Sequence, residues 1–244
     1  MTRPGRSARL AEMGLAPLWR LRRARSEVPD ETAAAALPAA REAPPLAAAG
    51  REAAIEAMDW SALKQAVPAC TACALHSGRK QAVFGVGDER ADWLLVGEAP
   101  GAEEDRLGEP FVGQAGRLLD AMLAALDLGR GENVYIANVL KCRPPGNRNP
   151  EPGEVAQCTP YLLRQIALIE PRLIVAMGRF AAQTLLATDA TIASLRGRVH
   201  RYAGVPLIVT YHPAYLLRNL PDKAKAWSDL VFARRTLAEL GAGR

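Results

Sequence analysis

Four short apolar runs, each followed by a segment of helical spacing, constrain this chain more than any other feature. The runs cover residues 93–96 (WLLV), 134–137 (VYIA), 173–177 (LIVAM) and 205–210 (VPLIVT). They do not alternate apolar with polar, which is the pattern of strands covered on both faces. Residues 116–128, 152–169, 179–186 and 222–240 carry amphipathic helical patterns. Strands alternating with helices predict an α/β fold, a three-layer αβα arrangement around a mostly parallel four-stranded central sheet. A further helical pattern begins near Arg51 and ends before Pro68.

In such sheets chemistry collects beyond the carboxyl ends of the strands. The first run leads into GEAPG at 97–101, an acidic stretch at 103–105 and PFVGQAG at 110–116. The second leads into NVLKCRPPGNRNP at 138–150, the third into Met177-Gly178, and the fourth into YHPAYLLR at 211–218. Three of these ends offer a polar group, Glu98, Asn138 and His212. Singly, each has a structural explanation: a solvated loop acid, a turn residue, a satisfied core histidine. Their convergence on one rim of one sheet points to a site. The fragment Gly85-Val-Gly87 lacks the third glycine of a dinucleotide fingerprint and carries no cofactor meaning.

The four cysteines form two pairs. Two residues separate Cys70 from Cys73 and 15 separate Cys142 from Cys158, with 68 between the pairs. A C-x2-C turn aims two thiolates at one centre, and a distant pair can complete a four-thiolate site. Spacing alone leaves zinc and an iron–sulfur cluster both open. His76 lies nearby, but four thiolates suffice without it.

The formal charge of +5 is unevenly spread. Residues 1–25 hold seven arginines against Glu12 alone, which leaves residues 26–244 near −1. The body is therefore almost neutral, and net charge by itself says nothing of nucleic acid there. Residues 1–50 are expected to be a disordered Arg/Ala/Pro-rich arm. Within it, 12–19 (EMGLAPLW) reads as a docking peptide for a protein partner, although an arginine-rich, acid-poor start also suits an organelle transit peptide. The body, 51–244, is expected to be one catalytic domain. No run approaches the ~18 apolar residues of a membrane span, and no apolar secretory segment follows Met1. A cytoplasmic monomer without membrane contact is the expectation.

Taken together, GEAPG with its acidic run, PFVGQAG, NVLKCRPPGNRNP, YHPAYLLR and the four cysteines resemble the uracil-DNA glycosylase superfamily, in its family 4 branch. The resemblance runs from about Ala54 to Leu240. It implies a monofunctional enzyme that hydrolyses the N-glycosidic bond of uracil in DNA during base excision repair, after flipping the nucleotide out. It assigns catalysis to Glu98, Asn138 and His212, and a uracil pocket to Gly97, Ala99, Glu104, Phe111, Asn138 and His212. Asn138 would read the base edge, Phe111 would stack on it, and His212 would donate toward uracil O2. Glu98 would activate water or stabilise the sugar cation, and Glu104, with the adjacent Glu103 as the alternative, would exclude the thymine methyl. Lys141, Arg143, Arg148 and Arg218, with Arg196, Arg198 and Arg201, would sit on the same rim and contact phosphates. Either Leu216 or Leu217 would wedge into the gap left by the flipped base, or both belong to the last helix's core face. The resemblance also favours a structural [4Fe–4S] cluster on Cys70, Cys73, Cys142 and Cys158.

Two other readings compete. A related branch captures uracil-DNA covalently, but it carries a histidine-containing insertion after the second strand, where this chain has Asn147-Arg-Asn-Pro150. A catalytically silent iron–sulfur module, binding nucleic acid or sensing redox state, would need none of Glu98, Phe111, Asn138 and His212.

Overall fold

The computed structural model describes residues 46–242. The docking peptide and most of the arm expected over 1–50 lie outside the described residues. The last five positions of that span open the first described helix, α1 (Leu46–Glu56). It is followed by α2 (Trp60–Ala69), so the single pattern expected from Arg51 is two helices. They are split by Asp59, whose carboxylate accepts the Ala62 N–H as an N-cap. Pro68 sits in the last turn of α2 rather than beyond it.

The remaining elements are β1 (Val86–Gly87), β2 (Trp93–Gly97), α3 (Ala102–Leu107), α4 (Gln114–Ala124), β3 (Val134–Asn138), α5 (Pro152–Ile169), β4 (Leu173–Met177), α6 (Arg179–Leu186), α7 (Ile192–Leu195), β5 (His200–Tyr202), β6 (Val205–Thr210), α8 (Pro213–Leu216) and α9 (Lys223–Ala242). The sheet runs β1-β3-β2-β4-β6-β5 among the described residues. The four expected strands, β2, β3, β4 and β6, are its parallel centre. Two short antiparallel strands border them, β1 on β3 and β5 on β6. The sheet is thus mixed and six-stranded rather than four-stranded. The borders escaped sequence reading because two residues (VG) and three residues (HRY) carry no period.

Every residue of β2, β3 and β4 is buried, because helices cover both faces. On one face Leu94, Val96, Ala137, Ile174 and Ala176 pack with Leu162 and Ile166 of α5 and Ala181 and Leu185 of α6. On the other, Leu95, Ile136, Val175 and Met177 pack with Leu119 and Leu123 of α4 and Leu230 of α9. A third cluster joins Ile55 of α1 and Leu63 and Val67 of α2 to Cys142, Cys158 and Tyr161. No helix among the described residues is long and apolar enough to cross a membrane.

The order places β2 beside both β3 and β4, so the chain leaves β2 in one direction and returns in the other. The crevice at that reversal lies above Gly97, Asn138 and Met177. Ile174, with no exposed surface at the sheet centre, is expected to lose about 2–5 kcal/mol on truncation to Ala. A shifted midpoint in urea denaturation, with the slope unchanged, checks this.

Candidate functional site

A cavity of about 890 Å³ opens at the expected crevice, lined among others by Glu98, Ala99, Glu104, Phe111, Asn138 and His212. Three strand ends and the β2–α4 connection build it. Gly97, the last residue of β2, sits between two site residues. A methyl there would strike the amide oxygen of Asn138 and lie 2.6 and 2.8 Å from Phe111 ring carbons. Gly116 performs the same service one turn into α4, where a methyl would run into the Phe111 carbonyl.

Phe111 adopts φ 55°, a left-handed conformation unusual for a bulky side chain. Such a residue costs about 1–3 kcal/mol and persists only where its surroundings hold it. Here Arg130 donates to the Pro110 and Phe111 carbonyls, each at 2.8 Å, while its guanidinium is fixed by Asp120. The ring stacks on His212 with centroids 5.4 Å apart and planes 29° from parallel.

Asn138 is 2% exposed, and its Oδ1 is a buried side-chain oxygen without a hydrogen-bond partner. Buried polar groups nearly always find partners, so an orphan in a cavity wall needs an explanation. His212 caps α8, and its Nδ1 accepts the Ala214 N–H at 3.1 Å. In the neutral ring the proton therefore resides on Nε2. Burial drives the imidazole down to about 4, with Glu104 opposing and Arg218 assisting. Glu98 moves the other way. Burial lifts its carboxyl to about 7, partly offset by the positive charge of Arg179.

The two adjacent acids divide cleanly. Glu103 points outward and pairs with Arg106 at 2.8 Å. Glu104 turns inward, accepting the Val112, Gly113 and Gly101 N–H groups at 3.0, 3.1 and 3.1 Å. Its carboxylate thus ties the start of α3 to the Phe111 loop. The leucines divide as well: Leu216 is buried, whereas Leu217 is 40% exposed.

The expected phosphate contacts do not stay together. Arg148 and Arg218 line the cavity, though Arg148 also makes a two-pronged pair with Glu154 at 2.5 and 3.0 Å. Arg143 donates to Asn147 Oδ1, and Arg196 is engaged by the buried Asp229 at 2.6 and 2.8 Å. Lys141 departs furthest from expectation. It is 1% exposed, and its ammonium donates to the Asn138 carbonyl at 2.9 Å and to Gln165 Oε1 at 2.6 Å. A side chain with no surface has no access to a phosphate, so it leaves the set. Arg179, which sequence reading passed over, lines the cavity with Arg148 and Arg218. The signal was available, since only Gly178 separates Arg179 from the end of β4.

Cys70, Cys73, Cys142 and Cys158 line one small separate cavity. Around it, Arg79 donates to Cys142 Sγ at 3.0 Å and the Lys141 main-chain N–H to Cys158 Sγ at 3.2 Å. Burial would raise the Cys70 thiol, but hydrogen bonds from the Ala72 backbone, Tyr161 and Arg51 bring it below its ordinary value. Among the described residues no three His, Cys, Asp or Glu side chains converge tightly enough to grip one metal ion. His76 also borders this cavity, its Nδ1 2.8 Å from the Cys73 carbonyl.

The His212 environment fixes a measurable outcome. An NMR titration is expected to show the Nε2–H tautomer and a midpoint near 4, and a midpoint close to the ordinary value of about 6.5 would contradict the burial described here.

Comparison with known proteins agrees with this architecture. The family model described as the uracil DNA glycosylase superfamily matches residues 84–231, a span holding the entire sheet. A type-4 uracil-DNA glycosylase of Archaeoglobus fulgidus is 48% identical over 159 residues, covering 62% of this chain and 79% of that protein. One from Pyrobaculum aerophilum is 44% identical over 182 residues, covering 71% and 92%. A third, from Thermotoga maritima, is 45% identical over 165 residues, covering 67% and 85%. The chain belongs to the uracil-DNA glycosylase superfamily, on its type-4 branch.

Proposed function

We propose that this chain releases uracil from DNA by hydrolysing its N-glycosidic bond, leaving an abasic site for base excision repair. The observation that carries the reading is the unpartnered, buried Asn138 amide oxygen beside Phe111 and His212 in one cavity. A pyrimidine ring laid on Phe111 would bring its edge to that amide. Uracil offers N3–H to the oxygen and O4 to the amide nitrogen, whereas cytosine presents the reverse. DNA would have to deliver the base extruded from the stack, since no duplex base reaches a cavity of this depth.

Bond breaking builds positive charge on the sugar and negative charge on the departing base. A neutral His212 donates its Nε2–H toward uracil O2 without first becoming an imidazolium, so the base leaves as an anion stabilised by a hydrogen bond. Preorganised donors of this sort contribute about 10²–10³-fold each. Glu98 lines the same cavity. As a carboxylate it either takes a proton from the attacking water or faces the sugar cation. Among the described residues the cavity lining contains no lysine, which favours water over an amine as nucleophile and hence a monofunctional enzyme. Glu104, locked by three backbone donors, suits the wall that refuses the thymine methyl. Of the two leucines, exposed Leu217 suits the wedge, and Arg148, Arg179 and Arg218 suit the phosphates.

The four cysteines suit a [4Fe–4S] cluster better than zinc. Thiolates around a single zinc lie about 3.8 Å apart, given bonds near 2.3 Å in a tetrahedron. Among the described residues no three such donors converge as tightly as a single ion requires, which suits a larger group held by the four cysteines around one cavity. Bound there, the cluster would brace the loop after β3; hydrolysis moves no electrons. Cys142 follows Asn138 by four residues, so the loop it braces is the one that carries the base-reading amide. An arm that docks a protein partner, a monomeric state and a cytoplasmic location complete the proposal.

An alkali-cleavage assay on a uracil-containing oligonucleotide is expected to show nicking by the chain, and at least a 100-fold loss in Asn138→Ala by the scale above. Full activity of that variant would sink the base-reading role. Activity is also expected to rise with pH through about 7 and then level off, because the carboxylate of Glu98 is the working form above that value. A Glu98→Gln protein should lose this inflection, and an unchanged profile would remove Glu98 from the chemistry. Cys70→Ala should lose visible colour and thermal stability together, and a colourless wild-type protein of full stability would argue against the cluster.

A further inference from the structure

Lys141 has no part in the reaction just described, yet few residues are more completely enclosed. Burying an ammonium is costly unless each donor meets an acceptor. Its side chain turns back from the loop to the carbonyl of Asn138 at the end of β3, three residues earlier, at 2.9 Å, and to Gln165 Oε1 at 2.6 Å. Gln165, from the C-terminal third of α5, is itself fully buried and donates to the Phe84 carbonyl at 2.9 Å. The Lys141 main chain is held as firmly, its N–H by Cys158 Sγ and its carbonyl by the Val83 N–H at 2.7 Å. Among the described residues the outer edge of β3 has no strand partner beyond Ile136, since β1 pairs only with Tyr135 and Ile136. The lysine supplies the donor that the sheet no longer provides.

A methionine would fill the same space without the cost of burying charge, but it would strip donors from two buried oxygens. One of them belongs to the residue whose side chain faces the cavity. We propose that Lys141 is a positioning residue. By holding the Asn138 carbonyl against α5, it sets the direction in which the Asn138 amide meets the base. This inference rests on the base-reading role given to Asn138 above. It also replaces the phosphate contact that the sequence suggested for Lys141.

The test is a double-mutant cycle on the full chain with its cofactor, using Lys141→Met, Asn138→Ala and the pair. Melting temperature and visible absorption are recorded alongside kcat and KM on a uracil oligonucleotide. Lys141→Met alone is expected to lower kcat about 10- to 100-fold, as befits a lost bond to a charged donor, with KM within about threefold. In the Asn138→Ala background the same change should cost almost nothing further, because the two act as one unit. Equal losses in both backgrounds, or a folded Lys141→Met protein with the parent kcat, would overturn the proposal. Should Lys141→Met not fold, Gln165→Met keeps the lysine and removes its anchor. A smaller loss of about 3- to 10-fold with the same non-additivity is then expected, and additivity would be decisive against it. Full activity in Asn138→Ala alone would instead overturn the base-reading role itself, and with it the reason for the lysine.

Discussion

The site depends on a missing methyl group. Gly97 ends β2 where the Phe111 ring and the Asn138 amide both press against the backbone, and no larger residue leaves them room. That close approach lets an aromatic surface and a polar reading edge share one cavity wall. It also explains the strain at Phe111. The loop must fold back over Gly97 in a left-handed turn, and Arg130 together with Gly116 holds it there. The cost in stability is borne by the clamp, as is usual where geometry at a site is over-determined.

Burial then shifts two groups in the same cavity in opposite directions. It keeps His212 uncharged and its proton on the nitrogen facing away from Ala214, and it lifts Glu98 to a value near neutrality. One desolvating environment thus yields a neutral donor and a carboxyl that switches within the physiological range. Glu104 links both halves, since its carboxylate joins the α3 turn to the Phe111 loop and its charge opposes the loss of the His212 proton. Catalysis by fixed dipoles needs this rigidity more than it needs any reactive side chain.

Much of this was legible in the residues. The four central strands and α5 follow from apolar runs and from a helix opened by Pro152 and closed at Glu170, because burial on both faces leaves an unmistakable pattern. The border strands did not, because His200, Arg201 and Tyr202 are paired by position rather than by composition. Glu98, Asn138 and His212 could be gathered on one rim by the strand-end rule, whereas Phe111 was reached only through the family resemblance. Lys141 was misjudged for a physical reason: a charge in a strand-end loop suggests solvent, and only the fold reveals that α5 covers it with Gln165. Arg196 misled in the same way, its partner Asp229 lying 33 residues further on. Long-range neutralisation of a buried charge has no signature in local sequence.

The central claim is that this cavity receives a pyrimidine whose edge satisfies the Asn138 amide. A crystal structure of the chain soaked with free uracil tests it most directly. The ring is expected to lie on Phe111, with Asn138 bonded to its N3–O4 edge and His212 Nε2 toward O2. Uracil bound elsewhere, with the Asn138 oxygen still lacking a partner, would contradict the account.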